Sequence, residues 1–208
     1  MNHRAGLFIT LEGGEGAGKS TAAARLAEVL RAEGLTVLAT REPGGTKGAE
    51  AMRALLLSTT ITLDPMAQTM LHFAARADLV ETVIRPALAR GEVVICDRFY
   101  DSTMAYQAYG LNVDVSAVAS LTRLINLHPD VTFILEVSES TANERRKVRN
   151  GATDRYEEMG ADFMARVAHG FRAIAAAEPR RCALIDAEQP VEAVVAAMRR
   201  VIRERTRR

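Results

Sequence analysis

Eight consecutive residues, Gly13-Gly14-Glu15-Gly16-Ala17-Gly18-Lys19-Ser20, constrain this chain more than any other stretch. A short apolar run, Leu7-Phe8-Ile9-Thr10-Leu11, precedes them and reads as a buried strand. After them, Ala23, Leu26, Ala27 and Leu30 recur at helical spacing, so Lys19 to Glu33 reads as a helix stopped by Gly34. Strand, Gly-x-x-x-x-Gly-Lys-Ser turn and helix, in that order, make a phosphate cradle. Backbone N–H groups converge inward only at unusual φ/ψ, which glycine permits. The helix adds its positive end. Lys19 can bridge β- and γ-phosphates, and the Ser20 hydroxyl can ligate Mg²⁺. The expected ligand is a nucleoside triphosphate held by Gly13 to Thr21.

Strand signals recur at Thr36–Thr40, 92–98, 131–137 and 182–187. Helical patterns fall at 49–58, at 65–91 as two helices or one broken one, and at 115–127. Strands alternating with helices predict an α/β fold: a five-stranded parallel sheet with helices on both faces, the three-layer P-loop NTPase arrangement. Ligands of such sheets bind at the carboxyl ends of the strands. The chemically distinctive residues cluster there, at 12–20, 41–45, 97–107 and 186–189.

Composition adds limits. The chain has 208 residues, 48% of them hydrophobic and 25% charged, which supports a sizeable core. A net charge of +1 supplies no global field for nucleic acid or a membrane surface, so neither is expected as a partner. Cys96 and Cys182 each sit in an apolar run and read as reduced core thiols. The N-terminal residues lack a long apolar stretch and no apolar run approaches the length of a membrane span, so a cytoplasmic protein is expected. The arginine-rich stretch 199–208 reads as a solvated helix end.

Three clusters define the chemistry further. In "TREPGGT" (40–46), Pro43 and two glycines make a tight loop with Arg41 and Glu42 at its mouth. In "CDRFYDSTMAYQAYG" (96–110), Asp97 stands where a second carboxylate helps position Mg²⁺. Arg98 beside it can grip a phosphate in bidentate fashion, and Thr103, Tyr106 and Gln107 offer hydrogen bonds one helical turn apart. "NERRKVRNGATDRYEEMG" (143–160) gathers Arg145, Arg146, Lys147, Arg149 and Arg155. In a P-loop protein such a basic segment can neutralise the migrating phosphoryl group and exclude water.

With "FAAR" (73–76), these clusters make the chain resemble the bacterial thymidylate kinases, nucleoside monophosphate kinases that make dTDP from dTMP and ATP. The resemblance runs from the P-loop to "IDAEQP" (185–190). It implies one kinase domain over 1–208 with a mobile lid at about 143–160, usually assembled as a homodimer. It implies that Glu15 faces the acceptor nucleotide near its sugar and phosphate. With no arginine in the P-loop, the catalytic arginine falls to the lid, and Arg149 and Arg155 are favoured. Arg53 and Arg98 are implied to hold the dTMP phosphate, Glu42 and Pro43 to border the acceptor, and Arg76 to meet the thymine O4 edge. Thr103 and Gln107 lie near the base, and Tyr106 crowds the sugar C2′ position. Arg146 covers the adenine of ATP. Ser20 and Asp97 attend Mg²⁺. In one departure, the position where the family usually stacks a phenylalanine on thymine holds His72, with Phe73 beside it, so either ring is a candidate for that role.

Two other readings use the same residues. A deoxynucleoside kinase would need Glu15 or Glu42 as general base toward a sugar hydroxyl. A phosphate acceptor needs no base and better suits paired arginines. A nucleotide-dependent switch would be expected to carry a guanine-reading Asn-Lys-x-Asp motif, which the sequence lacks.

Overall fold

The computed structural model describes residues 6–148, 156 and 159–206. Five strands, β1 (Leu7–Glu12), β2 (Val37–Arg41), β3 (Val93–Asp97), β4 (Val131–Glu136) and β5 (Cys182–Asp186), form one sheet in the order β2-β3-β1-β4-β5. Every pairing is parallel. The strand bounds follow the predicted runs to within about two residues, as expected where burial on both faces writes continuous apolar stretches.

Those stretches still alternate by face. Ile9 and Leu11, Val93 and Ile95, Phe133 and Leu135 point to one side. There they meet Leu26 and Leu30 of α1 (Lys19–Ala32) and Met198 of α9 (Val191–Thr206). Phe8, Val94 and Cys96 point to the other side, against Leu79, Ile84, Phe99 and Val118. A third cluster joins Ile134 to Tyr106, Tyr156, Phe163 and Phe171.

The helices on this second side depart most from the sequence expectation. α2 (Lys47–Leu57) starts earlier than predicted, because Thr46 caps it by accepting from Ala49 N at 2.9 Å. The 65–91 segment holds two α-helices, as expected, but they join without a gap. α3 (Pro65–Leu79) runs through a π-helical stretch, Val80–Ile84, directly into α4 (Arg85–Ala89). Pro86 has no N–H and its ring would press on the preceding turn, and the wider turn relieves that conflict. α5 (Tyr100–Thr103) likewise continues into a π-helical stretch, Met104–Gly110, where Leu111 N reaches Tyr106 O at 3.0 Å. The predicted α-helical spacing of Thr103, Tyr106 and Gln107 is therefore replaced by a wider one. α6 (Val115–Ile125) follows the prediction. α7 (Glu139–Val148) and α8 (Ala161–Ala177) fill segments to which the sequence reading assigns no element. Both cysteines are buried free thiols. Among the described residues no helix is long and apolar enough to cross a membrane.

Parallel pairing puts all five carboxyl ends at one edge. Leu11 pairs with Asp97 and Arg41 with Asp97, while Glu12 lies level with Ile134 and Glu136 with Asp186. The loops leaving those ends share one cavity of about 790 Å³.

Candidate active site

The cradle begins where β1 ends. Gly13 has φ 132° and a Cβ there would lie 2.5 Å from Leu135 O, while Gly16 has φ 80° and would place its Cβ 2.5 Å from Ala142 O. Only glycine fits either position, and the second close approach lets α7 lie against the loop. Gly18, in the left-handed region, precedes α1 without any side-chain cap. The first N–H groups of α1 are thus left for an anion. Lys19 folds its ammonium back onto the carbonyls of Gly13 and Gly14, at 3.0 and 2.7 Å. Burial lowers its pKa to about 8, with Arg98 pushing the same way against Glu15 and Asp97.

Ser20 donates its hydroxyl to Asp97 Oδ2, and Asp97 Oδ1 is buried with no hydrogen-bond partner among the described residues. A hydroxyl and a carboxylate with an unanswered oxygen fit a magnesium ion that takes its remaining ligands from phosphate and water. From the far side, Arg145 donates to Ala187 O at 2.9 Å, joining α7 to the loop after β5. Arg146 donates to Asn143, and both arginines line the cavity beside Gln189 and the apolar Val191 and Val194.

The other half of the cavity is arginine-rich. Arg98 has φ 70°, a left-handed conformation that costs a non-glycine residue on the order of 1 kcal/mol. Its guanidinium answers to several partners. Nη1 donates to Gly13 O at 3.1 Å and to Ser102 Oγ at 3.0 Å, and Nη2 to Glu15 Oε1 and to Tyr106 Oη at 3.3 Å. Beneath it, Glu12 accepts from Phe99 N at 2.8 Å and Ser102 Oγ at 2.5 Å. Burial, reinforced by Asp101, pushes the Glu12 carboxyl up to about 8, against the pull of Ser102 and Arg98.

Glu42, followed by a cis bond to Pro43, is buried against Arg76. Arg76 donates from Nε to Glu42 Oε2 at 2.8 Å and from Nη2 to Thr103 Oγ1 at 3.1 Å, and its Nη2 lies 2.7 Å from the same Glu42 oxygen as an ion pair. Burial outweighs the arginine and raises the Glu42 carboxyl to about 7. Among the described residues Arg76 Nη1 and Glu42 Oε1 are buried with no hydrogen-bond partner, in side chains that line the cavity. This corner is built to receive a polar planar ligand that completes both. Arg53, from α2, donates to Pro43 O at 3.0 Å and lines the same half.

Comparison with known proteins agrees with this geometry. The family profile described as thymidylate kinase matches residues 11–198. A thymidylate kinase of Gluconobacter oxydans is 52% identical over 203 residues, 96% of this chain and 95% of the relative. One from Caulobacter vibrioides is 46% identical, covering 96% of this chain and 97% of its own. The crystal structure of thymidylate kinase from Ehrlichia chaffeensis superposes with a TM-score of 0.80 at 34% identity, over 95% of this chain and 99% of that one. The chain belongs to the thymidylate kinase family.

Within that family frame, the structure brings together most of the expected site residues. Glu15, Gly16, Ala17, Gly18, Lys19, Ser20, Thr21 and Arg146 line the cavity. Glu42, Pro43, Arg53, His72, Arg76, Asp97, Arg98, Thr103, Tyr106 and Gln107 line the same cavity. Gly13 and Gly14 contribute through the carbonyls that Lys19 holds. Phe73 is placed elsewhere. Its ring is buried in the core beneath Arg76, whose guanidinium carbon lies 4.6 Å from the ring centroid, and it does not line the cavity. His72 does line it, and burial pulls its pKa down to about 3, so the ring is neutral. Arg149 and Arg155 lie outside the described residues.

Sequence reasoning gave no role to Glu12, Ser102 or Tyr156, and named Arg145 only within the basic segment 143–160. Glu12 and Ser102 support Arg98, Arg145 ties α7 to the β5 loop, and Tyr156 enters the cavity with its hydroxyl on Gln107, His72 and Gln68. Glu12 carried a usable signal, a carboxylate ending a buried strand. Tyr156 carried none, because its contacts come from residues about 50 to 90 positions away.

Proposed function

We infer that this chain is a dTMP kinase, transferring the terminal phosphoryl group of ATP to the phosphate of dTMP to give dTDP. The observation carrying this reading is Arg98. It stands between the two halves of one cavity, bonded to the P-loop carbonyl of Gly13 on one side and to Glu15, Ser102 and Tyr106 on the other. A cation so placed can grip an acceptor phosphate within reach of a donor held by the cradle.

The chemistry follows from position and charge. The P-loop N–H groups and Lys19 hold the triphosphate, Lys19 exchanging the carbonyls of Gly13 and Gly14 for phosphate oxygens. Arg98 and Arg53 hold the dTMP phosphate and reduce its repulsion from ATP, so that an acceptor oxygen attacks the γ-phosphorus in line while ADP leaves. Glu15 keeps Arg98 oriented and faces the acceptor sugar. Arg76 donates to O4 of the base, Thr103 and Gln107 border it, Tyr106 crowds C2′, and His72 lies against its face in place of the family's usual phenylalanine. Arg146 covers the adenine. Ser20 and Asp97 would hold Mg²⁺, which supplies charge neutralisation at the phosphate oxygens when bound. We assign the remaining transition-state cation to the lid at about 143–160, at Arg149 or Arg155. The protein acts as one domain in the cytoplasm and as a homodimer. Exposed Met70 on α3 and Leu124 on α6, 58% and 80% accessible, support an apolar pairing face.

A coupled assay of ADP release tests this. Release stoichiometric with added dTMP, and absent with thymidine or with ATP alone, is the expected result. Turnover of thymidine in preference to dTMP would favour a sugar-hydroxyl kinase, and ADP release without any acceptor would favour a switch.

A further inference from the structure

The hydrogen bonds around Tyr156 have a fixed direction, and the direction is set by a backbone carbonyl. Leu63 O can only accept, and it takes a hydrogen from Gln68 Nε2 at 2.8 Å. The amide of buried Gln68 is thereby oriented with Oε1 toward Tyr156, whose hydroxyl lies 3.3 Å away. An amide oxygen cannot donate, so the single proton of the Tyr156 hydroxyl goes to Gln68. The phenolic oxygen keeps two lone pairs. Gln107 Nε2 stands 2.9 Å from it and His72 Nε2 3.2 Å from it, so both must donate. Gln107 therefore spends its N–H on Tyr156 and keeps its carbonyl oxygen for the cavity it lines. The neutral ring of His72 carries its hydrogen on Nε2 and its lone pair on Nδ1.

We propose that Tyr156, with Gln68 and His72 behind it, sets the hydrogen-bond polarity of the acceptor-base pocket, so that Gln107 presents an acceptor and Arg76 Nη1 a donor. This rests on the cavity being the dTMP site. The pair matches a pyrimidine with N3–H and a 4-oxo group. A 4-amino pyrimidine has an unprotonated N3 and an amino group at C4, and so meets Gln107 oxygen with a lone pair and Arg76 with N–H. Tyr156, His72 and Gln68 are positioning residues here: they decide which atom Gln107 offers. Building a site around a required donor and acceptor gives far larger discrimination than shape alone.

Two variants and one measurement on the unaltered protein test it. Tyr156→Phe removes the oxygen that holds the Gln107 amide. Gln68→Met, at a residue that does not line the cavity, frees the Tyr156 proton to turn onto Gln107 and forces its carbonyl inward. In each, the ratio of kcat/KM for dTMP over dCMP is expected to fall about tenfold, mainly through KM, while Arg76 still opposes the amino group and keeps dTMP preferred. In the wild-type protein, ¹⁵N shifts of His72, assigned by comparison with His72→Phe, are expected to show a protonated Nε2 and an unprotonated Nδ1. A dTMP-to-dCMP ratio within twofold of wild type in a folded variant, or a hydrogen on Nδ1 of His72, overturns the proposal. Wild-type protein that fails to use dTMP at all would overturn both this and the functional reading. Wild-type protein that uses dTMP, with a ratio that Tyr156→Phe and Gln68→Met leave unmoved, overturns the polarity assignment alone.

Discussion

At the scale of single residues, the site works by holding cations where they repel one another and preventing them from escaping. Lys19 is the clearest case. Burial and neighbouring Arg98 bring its pKa down to about 8, so it is charged below that pH and loses charge as pH rises through it. kcat/KM for ATP should therefore turn down with an apparent midpoint near pH 8, a limb that moves to higher pH in Lys19→Arg because guanidinium does not titrate there. Arg98 depends on a relay: its Nη1 donates to Ser102, whose hydroxyl donates to Glu12. Ser102→Ala cuts that relay, and steady-state kinetics should show kcat/KM for dTMP falling about tenfold with kcat less affected, on the order of 1.4 kcal/mol. Arg98 itself was legible in the sequence because an Asp-Arg pair ends a strand. Ser102 was not, since a serine four residues on signals nothing until the left-handed turn at Arg98 brings it back.

At the scale of elements, most helices were readable where they begin with a cap or run at regular spacing, as α1 and α6 do. The π-helical stretches were not. Nothing in Met104 to Gly110 distinguishes a five-residue hydrogen-bond step from a four-residue one. The wider turn is set by packing: a Cβ on Gly110 would come within 2.5 Å of the Phe163 ring of α8, and one on Gly170 within 2.8 Å of Tyr109. Such tertiary crowding has no local signature. α7 escaped because its charged run lacks an apolar stripe, whereas α8 carries one in Phe163, Val167, Phe171 and Ile174, a periodic signal that the sequence reading passed over. Thr46 gives a test at this scale. Its hydroxyl caps α2 and also bonds Asp78 of α3, tying together the helix that carries Arg53 and the one that carries Arg76. Thr46→Ala should cost about 1 kcal/mol and lower the midpoint of a thermal melt by about 2–4 °C.

For the molecule as a whole, the parallel sheet was the most legible feature. Runs such as "VVICD" and "VTFILE" are apolar on both faces, which only a sheet covered on two sides requires. The strand order was not legible, because β1, β3 and β4 are equally apolar and nothing local says which lies central. Assembly is the prediction at this scale. Leu124→Glu, at an exposed residue outside the cavity lining, should shift sedimentation of the protein toward a monomer at micromolar concentration. The common direction of the strands has one more effect. Every loop that we propose to handle nucleotides leaves the sheet at its carboxyl edge, and the turn around Gly34 lies at the opposite, amino edge. A Cβ at Gly34 would meet no atom within 4 Å. Foreign peptide spliced in there, a fluorescent reporter or an affinity handle, should ride along as inert cargo while the opposite rim goes on turning over substrate.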